Sequence, residues 1–243
     1  MIKIALVGYG KMGKEIESDI DSRELKLVGK YDIDNTIQNH MKEIPDVAIE
    51  FSTPISMMQN LEFLASKKVD IVCGTTGWYD DLYKVERIVE KEGIGFIYTS
   101  NFSIGVNIYF QLIKEAGRII DKFRQFDLAI EEMHHNQKID KPSGTSLKMA
   151  DILLSTVKRK NKILKPASPE KLDSSMIGIS STRIGSVIGT HKLLIDSEGD
   201  SITIEHNAKT RRGFAEGALL AAKFIHGKKG VYRFEDIFFN LMA

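Results

Sequence analysis

The segment Glu131-Glu132-Met133-His134-His135-Asn136-Gln137-Lys138-Ile139-Asp140-Lys141-Pro142-Ser143-Gly144-Thr145 concentrates the side chains best suited to proton chemistry. His134 and His135 are adjacent, and Lys138 follows closely. Three potential proton donors or cations therefore share one predicted loop, where reactive groups can face a cleft. Histidine titrates near neutrality and suits general acid–base work. Lys138 can hold a carboxylate or release a proton. Pro142-Ser143-Gly144-Thr145 opens a predicted helix, whose unsatisfied N–H groups and positive dipole end make an anion site fit for a carboxylate. Ser143 or Thr145 also has the hydroxyl to cap that helix, and capping and substrate binding are expected together. No metal is expected. No cysteine stands nearby to complete a zinc site, and Glu131 and Glu132, adjacent on a strand, point to opposite faces.

A second pattern lies at the N-terminus. Gly8-Tyr9-Gly10-Lys11-Met12-Gly13 is a G-x-G-x-x-G. Alone it is a weak signal, since 19 glycines in 243 residues produce it by chance in roughly one chain in ten. Its context strengthens it: an apolar strand precedes it and an amphipathic helix follows. Gly8 then permits the tight turn, Gly10 lets the backbone approach a pyrophosphate, and Gly13 lets helix pack on strand. Asp32, at the end of the next strand, is placed to accept hydrogen bonds from the adenosine ribose. Asp32 would repel a 2′-phosphate and favours NAD(H). Lys11 and Lys30 can offset that repulsion, so NADP(H) stays open. Two later strand ends, Gly74-Thr75-Thr76 and Thr99-Ser100-Asn101-Phe102, offer small and hydroxyl residues for a nicotinamide and its ribose.

The elements that must position these residues change texture along the chain. Strand-like runs at Ile2–Val7, Leu25–Val28, Val47–Phe51, Val69–Cys73 and Gly95–Tyr98 alternate with helical patterns such as Met12, Ile16, Ile20 and Leu82, Val85, Ile88, Val89. That alternation predicts a parallel sheet covered on both faces. Little regular helix is expected between Asp32 and Val47. After residue 103 a long helix is predicted through Val106–Ile120, then a strand over Asp127–Met133 and a helix over Thr145–Val157. A Lys-, Pro- and Ser-rich loop follows over Lys158–Ser175. Strand runs at Ile177–Arg183, Ser186–Asp196 and Ser201–Asn207, the last two joined by a hairpin turn, predict a second, α+β domain. A helix over Phe214–Ile225 closes the pattern.

Composition excludes several classes. With 34 Lys+Arg against 33 Asp+Glu the net charge is +1, giving no global reason to bind nucleic acid. The basic run Lys158–Lys162 is most simply a solvated helix end. A 42% hydrophobic, 28% charged chain is neither disordered nor membrane-spanning. The N-terminus enters a strand directly, without signal-peptide regions, and the single Cys73 cannot form an internal disulfide. A cytoplasmic enzyme is expected.

Taken together these residues resemble the dihydrodipicolinate reductase family, now called 4-hydroxy-tetrahydrodipicolinate reductases, of lysine and diaminopimelate biosynthesis. The strongest likeness is His134-His135-x-x-Lys138-x-Asp140-x-Pro142-Ser143-Gly144-Thr145. It is joined by Gly8–Gly13, Cys73–Trp78, Asn101–Asn107, Arg183-x-Gly185-x-x-Gly189-x-His191 and His206…Arg211…Phe214-Ala215…Gly217. The resemblance implies an α/β chain. Residues 1–103 plus 215–243 form a Rossmann-type doubly wound domain that binds the dinucleotide. Residues 104–214 form an α+β domain on an open mixed sheet that binds substrate and builds a homotetramer. It implies His134 as the acid/base residue and Lys138 as proton donor. His135, Gly144 and Thr145 would hold a cyclic dicarboxylate, and Gly8–Gly13, Asp32, Gly74–Thr76 and Thr99–Phe102 the cofactor. Substrate and cofactor would then sit on different domains that close by a hinge. Ile33 stands where many members have a basic residue, which bears on NADP use, and Asn136-Gln137 replaces more basic residues. Two other readings share the first motif only: an aspartate or homoserine type dehydrogenase, and an NAD(H)-sensing regulator. The latter would need a basic DNA-binding domain.

Overall fold

The computed structural model describes residues 1–166 and 171–238. Alternating β-branched runs and amphipathic stretches fold as βα units. These are β1 (Ile2–Val7), α1 (Lys11–Ser18), β2 (Leu25–Tyr31), the single turn α2 (Ile37–His40), β3 (Val47–Glu50), α3 (Pro54–Ser66), β4 (Asp70–Cys73), α4 (Leu82–Glu92) and β5 (Gly95–Tyr98). The chain continues with α5 (Ile104–Ile120), β6 (Asp127–His134), α6 (Gly144–Thr156), β7 (Lys162–Leu164), β8 (Met176–Arg183), β9 (Thr190–Asp196) and β10 (Ser201–Asn207). It ends with α7 (Arg212–Ile225), β11 (Gly230–Arg233) and α8 (Phe234–Ile237).

The chain divides into two compact units. One is Met1–Asn107 with Arg211–Ala243, of which 239–243 lie outside the described residues; the other is Ile108–Thr210. A boundary was expected at residue 103, where α5 begins. The division comes one turn later because Asn107 Nδ2 donates back to the carbonyls of Asn101 (3.0 Å) and Ser103 (2.9 Å). The later boundary, expected at 214, falls at Arg211, because the whole of α7 packs into the first unit.

In the first unit six strands pair in the order β11-β5-β4-β3-β1-β2, all parallel. Strand alternation sends Ile4 and Leu6 to one face, with Ala215, Ala218 and Ile225 of α7. Ala5 and Val7 go to the other, with Leu61 and Leu64 of α3 and Val85 and Val89 of α4. Both faces are covered, as an all-parallel sheet requires. The second unit holds the sheet β10-β9-β6-β8-β7, in which β6 and β9, and β9 and β10, are antiparallel and the other pairs parallel. The chain is thus a doubly wound α/β unit with a second unit on a mixed sheet.

Three local expectations differ. The strand expected over Ser186–Asp196 begins only at Thr190, where the ladders with β6 and β10 end opposite Met133 and Asn207. The loop expected over Lys158–Ser175 contains the short edge strand β7; its residues 167–170 lie outside the described residues. The tail adds β11 beside β5, a run too short to show periodicity. Among the described residues no helix is long and apolar enough to cross a membrane.

Gly217 tests how α7 seats. A Cβ there would lie 1.8 Å from the Phe102 carbonyl oxygen. Helix propensity alone would favour Gly217→Ala by about 1 kcal/mol. Displacing backbone outweighs this, so the variant is expected to be less stable by about 1–3 kcal/mol in urea unfolding.

Candidate active site

In the strand order of the first unit the connections reverse direction between β1 and β3. Ligands of open parallel sheets bind in the crevice at such a switch point, beyond the carboxyl ends of the strands. A cavity of about 360 Å³ lies there, lined among others by Gly8, Gly10, Asp32, Ile33, Phe51 and Thr53. Gly8 has φ +85°, and a Cβ on it would stand 2.3 Å from the Phe51 carbonyl oxygen, so only glycine lets the turn after β1 pass the end of β3. At Gly10 a Cβ would meet nothing within 4 Å, leaving the start of α1 open. Gly10 caps α1 without a side-chain hydrogen bond, and the first turn carries no acidic residue. An uncovered helix start beside a cavity bearing Asp32 fits a dinucleotide: pyrophosphate on the N–H groups, ribose on the carboxylate.

The remaining expected cofactor residues divide. Tyr9 and Met12 pack on the core, and the Tyr9 hydroxyl donates to Glu17. Lys11 is exposed and Gly13 buried at the helix–strand contact. Lys30 is held by Glu17 at 3.2 Å and lies 4.8 Å above the Tyr9 ring, so the offset to Asp32 expected from it is already engaged elsewhere. Gly74 and Thr76 follow β4, and Ser100 and Asn101 follow β5. Thr75, Thr99 and Phe102, expected to face a cofactor, turn inward. The Thr75 hydroxyl donates to buried Glu50 (2.6 Å) and the Thr99 hydroxyl to Glu235 (2.7 Å), while Phe102 packs on Phe234. They shape the loops rather than line the cavity. Burial holds Glu50 above the ordinary carboxylate range, against hydrogen bonds from Ser52 and Thr75.

In the second unit β6 alternates Leu128, Ile130, Glu132 and His134 inward, with Glu131 outward on Lys192 at 3.0 Å. Glu132 is therefore a carboxylate in a core row, 0% exposed. Its oxygens accept from Arg183 Nη2 (3.0 Å), the Ser143 N–H (3.0 Å) and the Ser146 hydroxyl (2.7 Å). Burial alone would raise its pKa, but the hydrogen bonds from Ser143 and Ser146 prevail and hold it at about 2. The Arg183 side chain also donates to the carbonyls of Lys138 and Asp140, so one guanidinium staples the loop to the buried carboxylate. His134 is buried at the loop's start. Lys138 sits farther along, its ammonium 2.8 Å from Asp140. Burial lowers the His134 pKa, with Lys138 and Arg183 adding to this and Glu132 opposing it. His135 is half-buried beside it.

The helix start is occupied in part from inside. Ser143 caps α6, accepting from the Ser146 N–H at 3.2 Å, with its Oγ 3.2 Å from His191 Nε2 and its own N–H on Glu132. Its polar atoms are engaged by the protein, whereas Gly144 and Thr145 beside it are more exposed. Glu132, His134 and His191 offer ligand atoms within 4.8 Å of one another. A divalent cation there would face the Arg183 guanidinium and displace donors already on both Glu132 oxygens, so the donor set suits hydrogen bonding rather than a metal. Glu132, Arg183 and His191 had no assigned role in the sequence. The available signal was period-2 alternation, which puts Glu132 on the His134 face among apolar residues.

Two family models match the chain: the N-terminal part of dihydrodipicolinate reductase over residues 2–102, and its C-terminal part over residues 105–238. The 4-hydroxy-tetrahydrodipicolinate reductase of Christiangramia forsetii is 39% identical over 242 residues, 99% of each chain. The chain belongs to the dihydrodipicolinate reductase family. The enzyme of the same name from Neisseria meningitidis serogroup B is 34% identical over 79% of this chain and 72% of its own. The structure of a dipicolinate-bound family member from Paenisporosarcina sp. TG-14 superposes with a TM-score of 0.76 at 26% identity, covering 98% of this chain and 99% of the other. These matches do not favour the aspartate or homoserine dehydrogenase reading or the regulator reading.

His191 supplies a stability test within this unit. Burial, then the neighbouring His134, push its pKa down to about 3. The folded state thus excludes a proton that the unfolded chain takes up near pH 6.5, so stability is full above that pH and is lost as pH falls toward 3. Urea unfolding at pH 7 and pH 5 is expected to show a loss that shrinks in His191→Gln by up to about 1.4 kcal/mol per pH unit.

Proposed function

We propose that the protein is a nicotinamide-dependent 4-hydroxy-tetrahydrodipicolinate reductase of lysine and diaminopimelate biosynthesis. The observation that carries the reading is the loop holding His134 and Lys138 beside the open start of α6, stapled by Arg183 to Glu132. When bound, the reduced nicotinamide supplies a hydride. Reduction of the unsaturated cyclic dicarboxylate, formed by loss of water from the 4-hydroxy compound, also requires one proton. His134 acts as the acid/base group and Lys138 as proton donor and carboxylate partner. His135 with the N–H groups of Gly144 and Thr145 holds the carboxylates. Gly8–Gly13 and Asp32 hold the dinucleotide, and the loops after β4 and β5 form its nicotinamide end. On the family resemblance the reading extends to a cytoplasmic homotetramer.

NADH is the preferred cofactor in this reading. Asp32 lines the cavity, Ile33 beside it is 85% exposed and offers no cation, and Lys30 is bound to Glu17. Calorimetric titrations are expected to give NADH an affinity at least equal to that of NADPH. A preference for NADPH above about tenfold, or 1.4 kcal/mol, would reverse the assignment.

For the proton chemistry, His134→Ala is expected to lower kcat by roughly 100- to 10,000-fold with little change in KM. Lys138→Ala should lower kcat and raise KM together, since it removes a donor and a carboxylate partner. Both should bind NADH as the parent does, because the cavity residues all belong to the other unit. Near-native turnover of the dicarboxylate by both folded variants would defeat the reading.

A further inference from the structure

Glu132 has no role in the proton chemistry just described, yet its placement is specified from three sides. The start of α6 donates through the Ser143 N–H and the Ser146 hydroxyl, and β8 through Arg183. On β6 itself, two residues along the same face, His134 Nδ1 lies 3.7 Å from Glu132 Oε2. That nitrogen is buried and has no hydrogen-bond partner among the described residues. On the other side of the ring, position 189 is glycine, and a Cβ there would come within 3.2 Å of His134 Nε2. One ring nitrogen thus faces a fixed carboxylate and the other faces backbone stripped of side chain.

We propose that Glu132 is a positioning residue for His134: its carboxylate keeps a proton on Nδ1, so that Nε2 is the atom that exchanges protons with substrate. The proposal rests on His134 being the acid/base residue. A neutral imidazole carries one N–H, and an anion beside one nitrogen selects the tautomer with its N–H on that side. The same anion stabilises the imidazolium formed when Nε2 takes a proton. Stability gives little reason for the arrangement, because a buried ion pair is often no better than an apolar pair of similar volume. The charged and titratable groups facing His134 are Glu132 on β6, Lys138 and Asp140 on the loop, Arg183 on β8 and His191 on β9. Glu132 and Asp140 favour the imidazolium; Lys138 and Arg183 disfavour it, as does burial. Removing the Glu132 charge must therefore lower the His134 pKa further.

The test begins on the unaltered protein. Nitrogen-15 NMR of labelled histidines is expected to show neutral His134 protonated on Nδ1; protonation on Nε2 overturns the proposal without any variant. In Glu132→Gln, the His134 titration should move to lower pH, and the alkaline limb of the kcat profile should move with it. The value of kcat should fall at least roughly 10- to 100-fold, the range seen when the carboxylate partners of metal-bound histidines are removed. Glu132→Asp, which keeps the charge, should return both toward the parent. A Glu132→Gln protein that is less stable but has an unmoved His134 titration would reduce Glu132 to a structural anchor and overturn the proposal. A moved titration with an unmoved kinetic limb would leave Glu132 as the partner of His134 and defeat only the acid/base reading of His134.

Discussion

The ion pair between Glu132 and Arg183, 3.0 Å apart with both side chains almost wholly buried, is the contact on which the second unit's geometry depends. Glu132 belongs to β6 and Arg183 to β8, so the pair crosses the parallel ladder that joins those strands. From Glu132 the hydrogen bonds run to the start of α6, and from Arg183 to the loop carbonyls at Lys138 and Asp140. A segment rich in charges would otherwise be a mobile surface loop. Here its backbone is tied at two points to a charge that cannot leave the core, which presents His134, Lys138 and the α6 N–H groups from one frame. Breaking such a pair would strand a buried charge, which costs far more than the intact pair contributes.

The first unit solves a different problem with a second buried glutamate. Glu50 closes β3 and accepts hydrogen bonds from Ser52, Asn60 and Thr75, linking the strand ends that flank the cavity. None of these donors is a cation, and burial raises its pKa, whereas Glu132, in reach of a guanidinium and of donors at a helix start, is held at about 2. Two carboxylates of one residue type are thus shifted in opposite directions. At Glu50 desolvation outweighs the hydrogen bonds, whereas at Glu132 the hydrogen bonds from the serines together outweigh desolvation. Glu50 ties the strand-end loops that flank the cavity, while Glu132, held at about 2, can act on a histidine.

The sequence by itself determined the parallel unit, because strand and helix periodicities differ and recur there in strict alternation. It also determined the glycine turn after β1, because the steric demand at Gly8 admits one residue type. The loop from His134 to Thr145 was legible for the same reason: the side chains that titrate near neutrality or hold anions are few, and their clustering is visible in one dimension. Edge strands β7 and β11 were not legible, since runs of three or four residues carry no period.

Only the tertiary structure decided which way each polar side chain turns. Thr75 and Thr99 look like cofactor ligands in a strand-end loop, yet their hydroxyls find carboxylates from distant segments, at Glu50 and Glu235. Ser143 looks like a substrate ligand, yet Glu132, Ser146 and His191 engage its polar atoms. Lys30 looks like a phosphate partner, yet Glu17 holds it. Each outcome depends on partners brought close by sheet pairing and helix packing. A hydrogen bond or ion pair reports distance in space rather than along the chain, so residue type and spacing name the groups able to do chemistry, and the fold assigns their partners.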